Sequence, residues 1–102
     1  MKRIIDSRRY DTDTAAEIAS DAHGYTSDFN HWRESLYQTK GGRFFLAGSG
    51  GPLSKYAHSP RQNEWTSGEG VSVLTEAEAL RWCEKHDVDV DVIVRYFTIE
   101  EA

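Results

Sequence analysis

The segment from Trp32 to Gly51, WRESLYQTKGGRFFLAGSGG, is the feature that most constrains how this chain folds. Two runs of aromatic and apolar side chains flank Lys40-Gly41-Gly42, and glycine reaches the positive φ of a tight turn without a Cβ clash. The pattern predicts a β-hairpin over about residues 32–48, closed by a three-residue loop.

The register of this hairpin follows from its charges. A two-residue turn would place Lys40 opposite Arg43, a repulsive pair, whereas the three-residue loop avoids this contact and pairs Leu36 with Leu46. Phe45 then points to the opposite face, so both faces of the hairpin are apolar. A two-faced apolar hairpin is expected at the centre of its sheet, with other elements packed on each side.

Residues 2–10 predict a second, smaller hairpin. A strand over residues 2–6, a turn through Asp6-Ser7-Arg8 and a return through Tyr10 fit the local hydrogen bonding of Asp and Ser. Residues 14–19 have apolar side chains at one-turn spacing and a candidate cap in Thr12 or Asp13, which predicts a short helix. The same residues also read as a strand that continues to His23.

The second half of the chain contains the clearest helix start. Pro52 is suited to the first position of a single helical turn that reaches Ala57. A short strand over residues 71–74 leads into Thr75 and Glu78, which have the spacing of a capping box. The pattern predicts a helix over residues 76–86. Its expected inner side chains are Ala79, Leu80, Trp82 and Cys83.

Residues 87–97, DVDVDVIVRYF, carry two conflicting patterns. Alternation of Asp and Val indicates a strand, while Val92, Ile93, Tyr96 and Phe97 have helical spacing. Acidic residues at the beginning favour a helix because its amino end carries a partial positive charge. The whole chain therefore predicts one compact α+β domain over residues 1–102, a small antiparallel sheet with one or two C-terminal helices packed on it.

The sequence predicts neither a metal site nor a cofactor. GSGGPLSK, residues 48–55, has glycines and a lysine but lacks the spacing of a phosphate-binding loop. The four histidines do not pair at the spacing of metal ligands. Cys83 and His86 lie one helical turn apart, which leaves a small thiol-dependent or histidine-dependent enzyme as a weaker alternative.

Net charge bears on the class of partner. Twelve Lys and Arg against seventeen Asp and Glu give −5, which disfavours direct binding to nucleic acid and suits a partner with a basic surface. The alternative is that the negative net charge only keeps the protein soluble. The sequence has no apolar stretch long enough for a membrane span, and its single cysteine fits a reducing compartment, so we expect a cytoplasmic protein.

Three phrases carry a resemblance to a known group of proteins: RRYDTDTAAEIA, DFNHWRESLYQTKGGRFFLAGSGGPLSKYA and VSVLTEAEALRWCEKHD. Together they span most of the chain, which resembles a family of small, largely uncharacterised proteins of bacteria, phages and other mobile elements. The resemblance implies no catalytic residues. A small acidic protein of this kind is similar in general profile to anti-CRISPR inhibitors, which implies a role in counter-defence within the host cytoplasm.

The sequence therefore predicts a non-enzymatic inhibitor that binds the basic, nucleic-acid-binding surface of a host protein or nucleoprotein complex. The alternative is an accessory or regulatory domain of a mobile element, in which case a homodimer is possible. Candidate contact residues are acids of the helical region and two aromatic residues in polar loops, since Tyr and Trp are favoured in binding sites. They are Glu76, Glu78, Glu84, Asp87, Asp89, Asp91, Tyr25 and Trp65.

Overall fold

The computed structural model of this protein describes residues 1–25 and 27–102. Six strands precede two helices, in the α+β arrangement that the sequence predicts. The strands are β1 (Lys2–Ile5), β2 (Arg8–Asp11), β3 (Ala16–His23), β4 (Trp32–Gln38), β5 (Phe44–Gly50) and β6 (Gly68–Leu74). The helices are α1 (Glu76–Lys85) and α2 (Val90–Tyr96).

Strands β3 to β6 form an antiparallel sheet in sequence order, so β4 and β5 are its two central strands. Leu36 lies opposite Leu46, which confirms the predicted register. The N–H of Thr39 donates to the carbonyl of Arg43 at 2.8 Å and closes a three-residue loop, in which Gly42 has a φ of 87°. A side chain at that φ would be strained, so the turn requires its glycine.

Strands β1 and β2 form a separate hairpin, as predicted, with Ile5 opposite Arg8. The two turn residues, Asp6 and Ser7, have φ values of 51° and 64°, the left-handed pair that a tight two-residue turn needs. Tyr10 of this hairpin packs against Phe45 and Ala47. The hairpin therefore covers one face of the sheet.

The helices cover the other face, where Ile18, Leu36, Phe44 and Leu46 form one cluster with apolar side chains of the helices. Helix α1 contributes Ala79, Trp82 and Cys83, and Phe97 follows α2. Thr75 and Glu78 make the predicted capping box. Each donates its backbone N–H to the side chain of the other, which fixes where α1 begins.

The structure decides between the open alternatives and corrects two further expectations. Residues 16–23 are a strand, because β3 pairs along its length with β4, and the predicted helix over 14–19 is wrong. Residues 90–96 are a helix, in which the Asp89 side chain accepts the backbone N–H of Asp91. Residues 52–57 form successive turns instead of a helical turn, and β6 begins at Gly68, three residues earlier than predicted.

Candidate functional site

Part of the helix-covered face of β5 and β6 carries no side chains. Gly48 lies opposite Gly70 and Gly50 lies opposite Gly68, so four glycines form a bare patch on β5 and β6. The segment after β5 lies on this patch. A Cβ on Gly48 would come within 2.2 Å of the Tyr56 ring, and a Cβ on Gly68 within 2.1 Å of the Tyr56 carbonyl oxygen.

The glycine patch therefore predicts a specific substitution effect. We expect Gly48→Ala to displace the Tyr56 ring and lower the free energy of unfolding by about 1–3 kcal/mol, the usual range for overpacking. Gly41→Ala is the matched control because its Cβ would meet only the Thr39 hydroxyl at 3.8 Å. Urea denaturation of both variants measures the difference. Equal stability of Gly48→Ala and Gly41→Ala would contradict this packing.

Tyr56 reaches across the glycine patch to Glu34 of β4. The Tyr56 hydroxyl donates to Glu34 Oε2, and the Lys55 ammonium forms an ion pair with the same oxygen. Trp82 Nε1 of α1 donates to the other oxygen, Oε1, at 3.3 Å. The Glu34 side chain is 2% exposed, and this charged group on a central strand is contacted by three donors from two separate elements.

Two opposing effects act on the pKa of Glu34. Burial alone raises the pKa of a carboxyl group, but the hydrogen bonds from Lys55, Tyr56 and Trp82 outweigh it and hold the pKa of Glu34 below its ordinary value. Burial and the adjacent carboxylate raise the pKa of the Tyr56 hydroxyl well above its ordinary value. At neutral pH the pair is therefore an ionised acceptor and a neutral donor.

Four aromatic rings follow one another beside Glu34. His23 stacks on Trp32 with centroids 6.0 Å apart, Trp32 meets His86 edge-on at 5.8 Å, and His86 stacks on Trp82 at 4.3 Å. His86 Nδ1 lies 2.6 Å from a carboxylate oxygen of Asp21. Since a carboxylate only accepts hydrogen bonds, this nitrogen carries the hydrogen. Its hydrogen bond lowers the pKa of Asp21 and orients the imidazole.

Together these groups form a cleft of about 430 Å³ between the end of α1 and the segment that follows β5, which we call the Glu34 cleft. Its lining includes Glu34, the four rings, Lys55 and Lys85. We call the end at the buried Glu34 the floor and the end at the two exposed lysines the mouth. A volume of this size and a mixture of aromatic and polar lining are typical of small-molecule sites. Sequence analysis did not identify this cleft.

The predicted contact residues lie elsewhere. All six acids are exposed. Tyr25 is 81% exposed and Trp65 is 59% exposed. Tyr25 follows β3 and Trp65 precedes β6, so antiparallel pairing places both aromatic residues at the same end of the sheet. The carboxyl end of α1 reaches that same end through the contact of His86 with Asp21.

Negative charge is concentrated in the helical region. Residues 75–91 contain six acidic and two basic side chains, which accounts for most of the net charge of −5. Three of the acids have local roles, because Glu78 and Asp89 cap helices and Asp87 has a left-handed φ of 53°. Glu76 and Asp91 lie in the first turns of α1 and α2, and Glu84 has none of these roles. Among the described residues, none of the six acids forms an ion pair with Lys or Arg.

The thiol alternative fits the structure poorly. Cys83 is fully buried, and burial raises the pKa of its thiol, which disfavours the reactive thiolate. His86 is engaged by Asp21 and by two tryptophan rings. Within residues 1–25 and 27–102, no three His, Cys, Asp or Glu side chains are grouped as metal ligands. None of the helices in the described part of the chain has the length and hydropathy to span a membrane.

Comparison with protein-family models, with curated proteins and with solved structures gives no match to this chain. The resemblance to small mobile-element proteins therefore stays a prediction.

Proposed function

We propose that this protein is a non-enzymatic binding protein that docks its acidic helical region on the basic surface of a partner protein. The single observation that carries the proposal is the concentration of negative charge in residues 75–91. Charged surfaces of opposite sign steer association and select partners. An acidic face of this kind suits a surface rich in Lys and Arg.

Apolar surface beside these acids supports a protein partner. A groove of about 200 Å³ between the two helices and the C-terminal segment is lined by Leu80, Ile93 and three exposed apolar side chains, with Glu84 at its edge. Those three are Val90, Val94 and Ile99, which are 70%, 53% and 48% exposed. An exposed apolar patch with a charged edge is typical of protein-binding surfaces.

The partner that fits best is a nucleic-acid-binding protein, because a channel that holds phosphates is rich in Lys and Arg. Occupying such a channel with carboxylates excludes the nucleic acid by direct competition. With the resemblance to mobile-element proteins, this leads to an anti-CRISPR-like inhibitor of a host defence complex. Tyr25 and Trp65 are proposed as further contacts, at the end of the sheet that the carboxyl end of α1 reaches.

Charge reversal tests this proposal. We expect wild-type protein to be retained by an immobilised Cas9-type or Cascade-type complex and to reduce its binding of target DNA. The triple variant Glu76→Lys, Glu84→Lys, Asp91→Lys should bind about tenfold or more weakly, because it replaces attraction by repulsion. Affinity is measured by surface plasmon resonance at two salt concentrations.

The matched control is Asp13→Lys, Glu17→Lys, Glu64→Lys, which changes the net charge equally at exposed sites outside the helical region. It should retain binding, and circular dichroism should show both triple variants folded. Loss of affinity in both variants alike would assign the effect to net charge and contradict a defined acidic face. No retention by either complex at low salt would overturn the anti-CRISPR-like inhibitor.

A further inference from the structure

The floor of the Glu34 cleft has an incompletely used hydrogen-bond acceptor. Glu34 Oε2 is engaged by both Tyr56 and Lys55, while Oε1 accepts from Trp82 at 3.3 Å, longer than the usual 2.9 Å of an N–H to oxygen bond. Each oxygen of an ionised carboxylate has two lone-pair sites, and hydrogen bonds to it are usually short. Because Glu34 also lines the cleft, a ligand with an N–H donor would complete its hydrogen bonding.

The side of the cleft is suited to a flat ring. Trp32 and His86 lie in the middle of the continuous array of four rings, and both line the cleft. Aromatic side chains held by their neighbours stack on planar ligands with little loss of conformational entropy. The Asp21 carboxylate, which holds the His86 ring, adds to this pre-organisation.

The mouth of the cleft is suited to an anion. Lys55 comes from the segment after β5, where its ammonium pairs with Glu34, and Lys85 comes from the last turn of α1. Lys55 offsets the charge of Glu34, and Lys85 has no carboxylate within ion-pair distance among the described residues. The lining therefore carries one more positive than negative side chain, and the Asp21 carboxylate lies behind His86.

We propose that the Glu34 cleft binds a small anionic ligand with an amino-substituted aromatic ring, represented by a nucleoside monophosphate whose base carries an exocyclic amine. The amine donates to Glu34 Oε1 at the floor. The base lies against Trp32 and His86, and the phosphate lies between Lys55 and Lys85. This site is separate from the acidic helical region and does not depend on its proposed role.

Three ligands and a charge change at the mouth test the site. We expect AMP to bind with a dissociation constant below about 1 mM, measured by calorimetry and by quenching of tryptophan fluorescence. The quenching is measured in the Trp65→Phe variant, so that the exposed indole outside the cleft does not contribute to the fluorescence signal. Adenosine, which lacks the phosphate, and purine riboside 5′-monophosphate, which lacks the amine, should each bind about tenfold more weakly.

Lys85→Glu should also weaken AMP binding about tenfold, whereas Lys40→Glu, the same charge change in the distal β4–β5 turn, should leave it within about twofold. Equal binding of AMP and purine riboside 5′-monophosphate would overturn the role of Glu34. Absence of binding by AMP, CMP and GMP at about 1 mM would overturn the site. Tighter binding of a single-stranded oligonucleotide than of AMP would overturn the assignment to a small ligand.

Discussion

Glu34→Ala is expected to lower the free energy of unfolding by about 3–5 kcal/mol, because two buried donors lose their acceptor at about 1–3 kcal/mol each and a cavity opens. The substitution leaves the Tyr56 hydroxyl and Trp82 Nε1 without their acceptor and opens space beneath α1. It also releases the segment that Tyr56 holds on the glycine patch. Urea denaturation followed by far-ultraviolet circular dichroism measures the loss.

Two conservative changes separate the contributions within this cluster. Lys55→Met should cost about 1–3 kcal/mol, because the Lys55 side chain is 61% exposed but its loss removes the counter-charge of the buried Glu34 carboxylate. Tyr56→Phe should cost about 1.5–3 kcal/mol, the usual value of a hydrogen bond to a charged group. If Glu34→Ala is no more destabilising than Lys55→Met, the buried carboxylate does not anchor this part of the fold.

Lowering the pH should remove part of the stabilisation that Glu34 provides. The pKa of Glu34 in the folded protein lies below its ordinary value, so ionised Glu34 stabilises the fold at neutral pH, and its contribution is lost as pH falls through the lowered pKa. The difference in free energy of unfolding between wild type and Glu34→Gln should be constant near neutral pH and shrink below about pH 4. A difference that grows on acidification would contradict this direction.

Phe45→Ala is expected to cost about 3–5 kcal/mol, as for other fully buried aromatic side chains. Phe45 is 0% exposed, stacks on Tyr37 at 5.1 Å and meets Tyr10 edge-on at 5.4 Å, so its ring joins the sheet to the β1–β2 hairpin. Amide hydrogen exchange should show the β1–β2 hairpin losing protection first. Urea denaturation measures the loss in free energy of unfolding, and hydrogen exchange shows where protection is lost.

Val73→Ala provides the control for Phe45. Val73 lies directly opposite Phe45 on β6 but is 40% exposed, so its truncation should cost less than about 1 kcal/mol. Similar losses at the two positions would show that the β1–β2 hairpin does not cover Phe45. Leu46→Ala, on the helix-covered face, should cost about 2–4 kcal/mol without exposing the β1–β2 hairpin to exchange.

Short-range signals explain which elements sequence analysis recovered. The repulsion of Lys40 and Arg43 and the glycines between them set the β4–β5 register, and Thr75 with Glu78 marked the beginning of α1. Each signal acts within a few residues, so it can be recognised without knowing what packs nearby. The same is true of Asp89, whose side chain caps α2 and overrides the alternating pattern that follows it.

Residues 14–23 show where local reasoning fails. Ala15, Ile18 and Ala19 have helical spacing, but residues 16–23 pair with β4, and a β-bulge between Glu17 and Ala19 shifts their register. Ile18 becomes buried against the helices while Glu17 stays exposed. A strand at the edge of a sheet is stabilised by its partner, and tertiary pairing of this kind outweighs a weak helical preference.

The Glu34 cleft was missed because its parts are distant in sequence. Trp82 is 48 residues from Glu34, and Tyr56 is 22 residues from it. The sequence does contain one usable signal, a charged residue two positions before the core residue Leu36 on a central strand. Residues two apart on a strand face the same side, so Glu34 faces the core and needs hydrogen-bond partners there. Only the tertiary structure shows which residues these partners are.

The sequence by itself determined the central hairpin, the beginning of α1, the α+β class and the concentration of acids in the helical region, because each depends on neighbouring residues. Only the tertiary structure decided that glycines 48, 50, 68 and 70 form one bare patch, that Tyr56 lies on it, and that Glu34 forms the floor of a cleft. The physical reason is that a buried charge is stable only where distant segments bring its donors together.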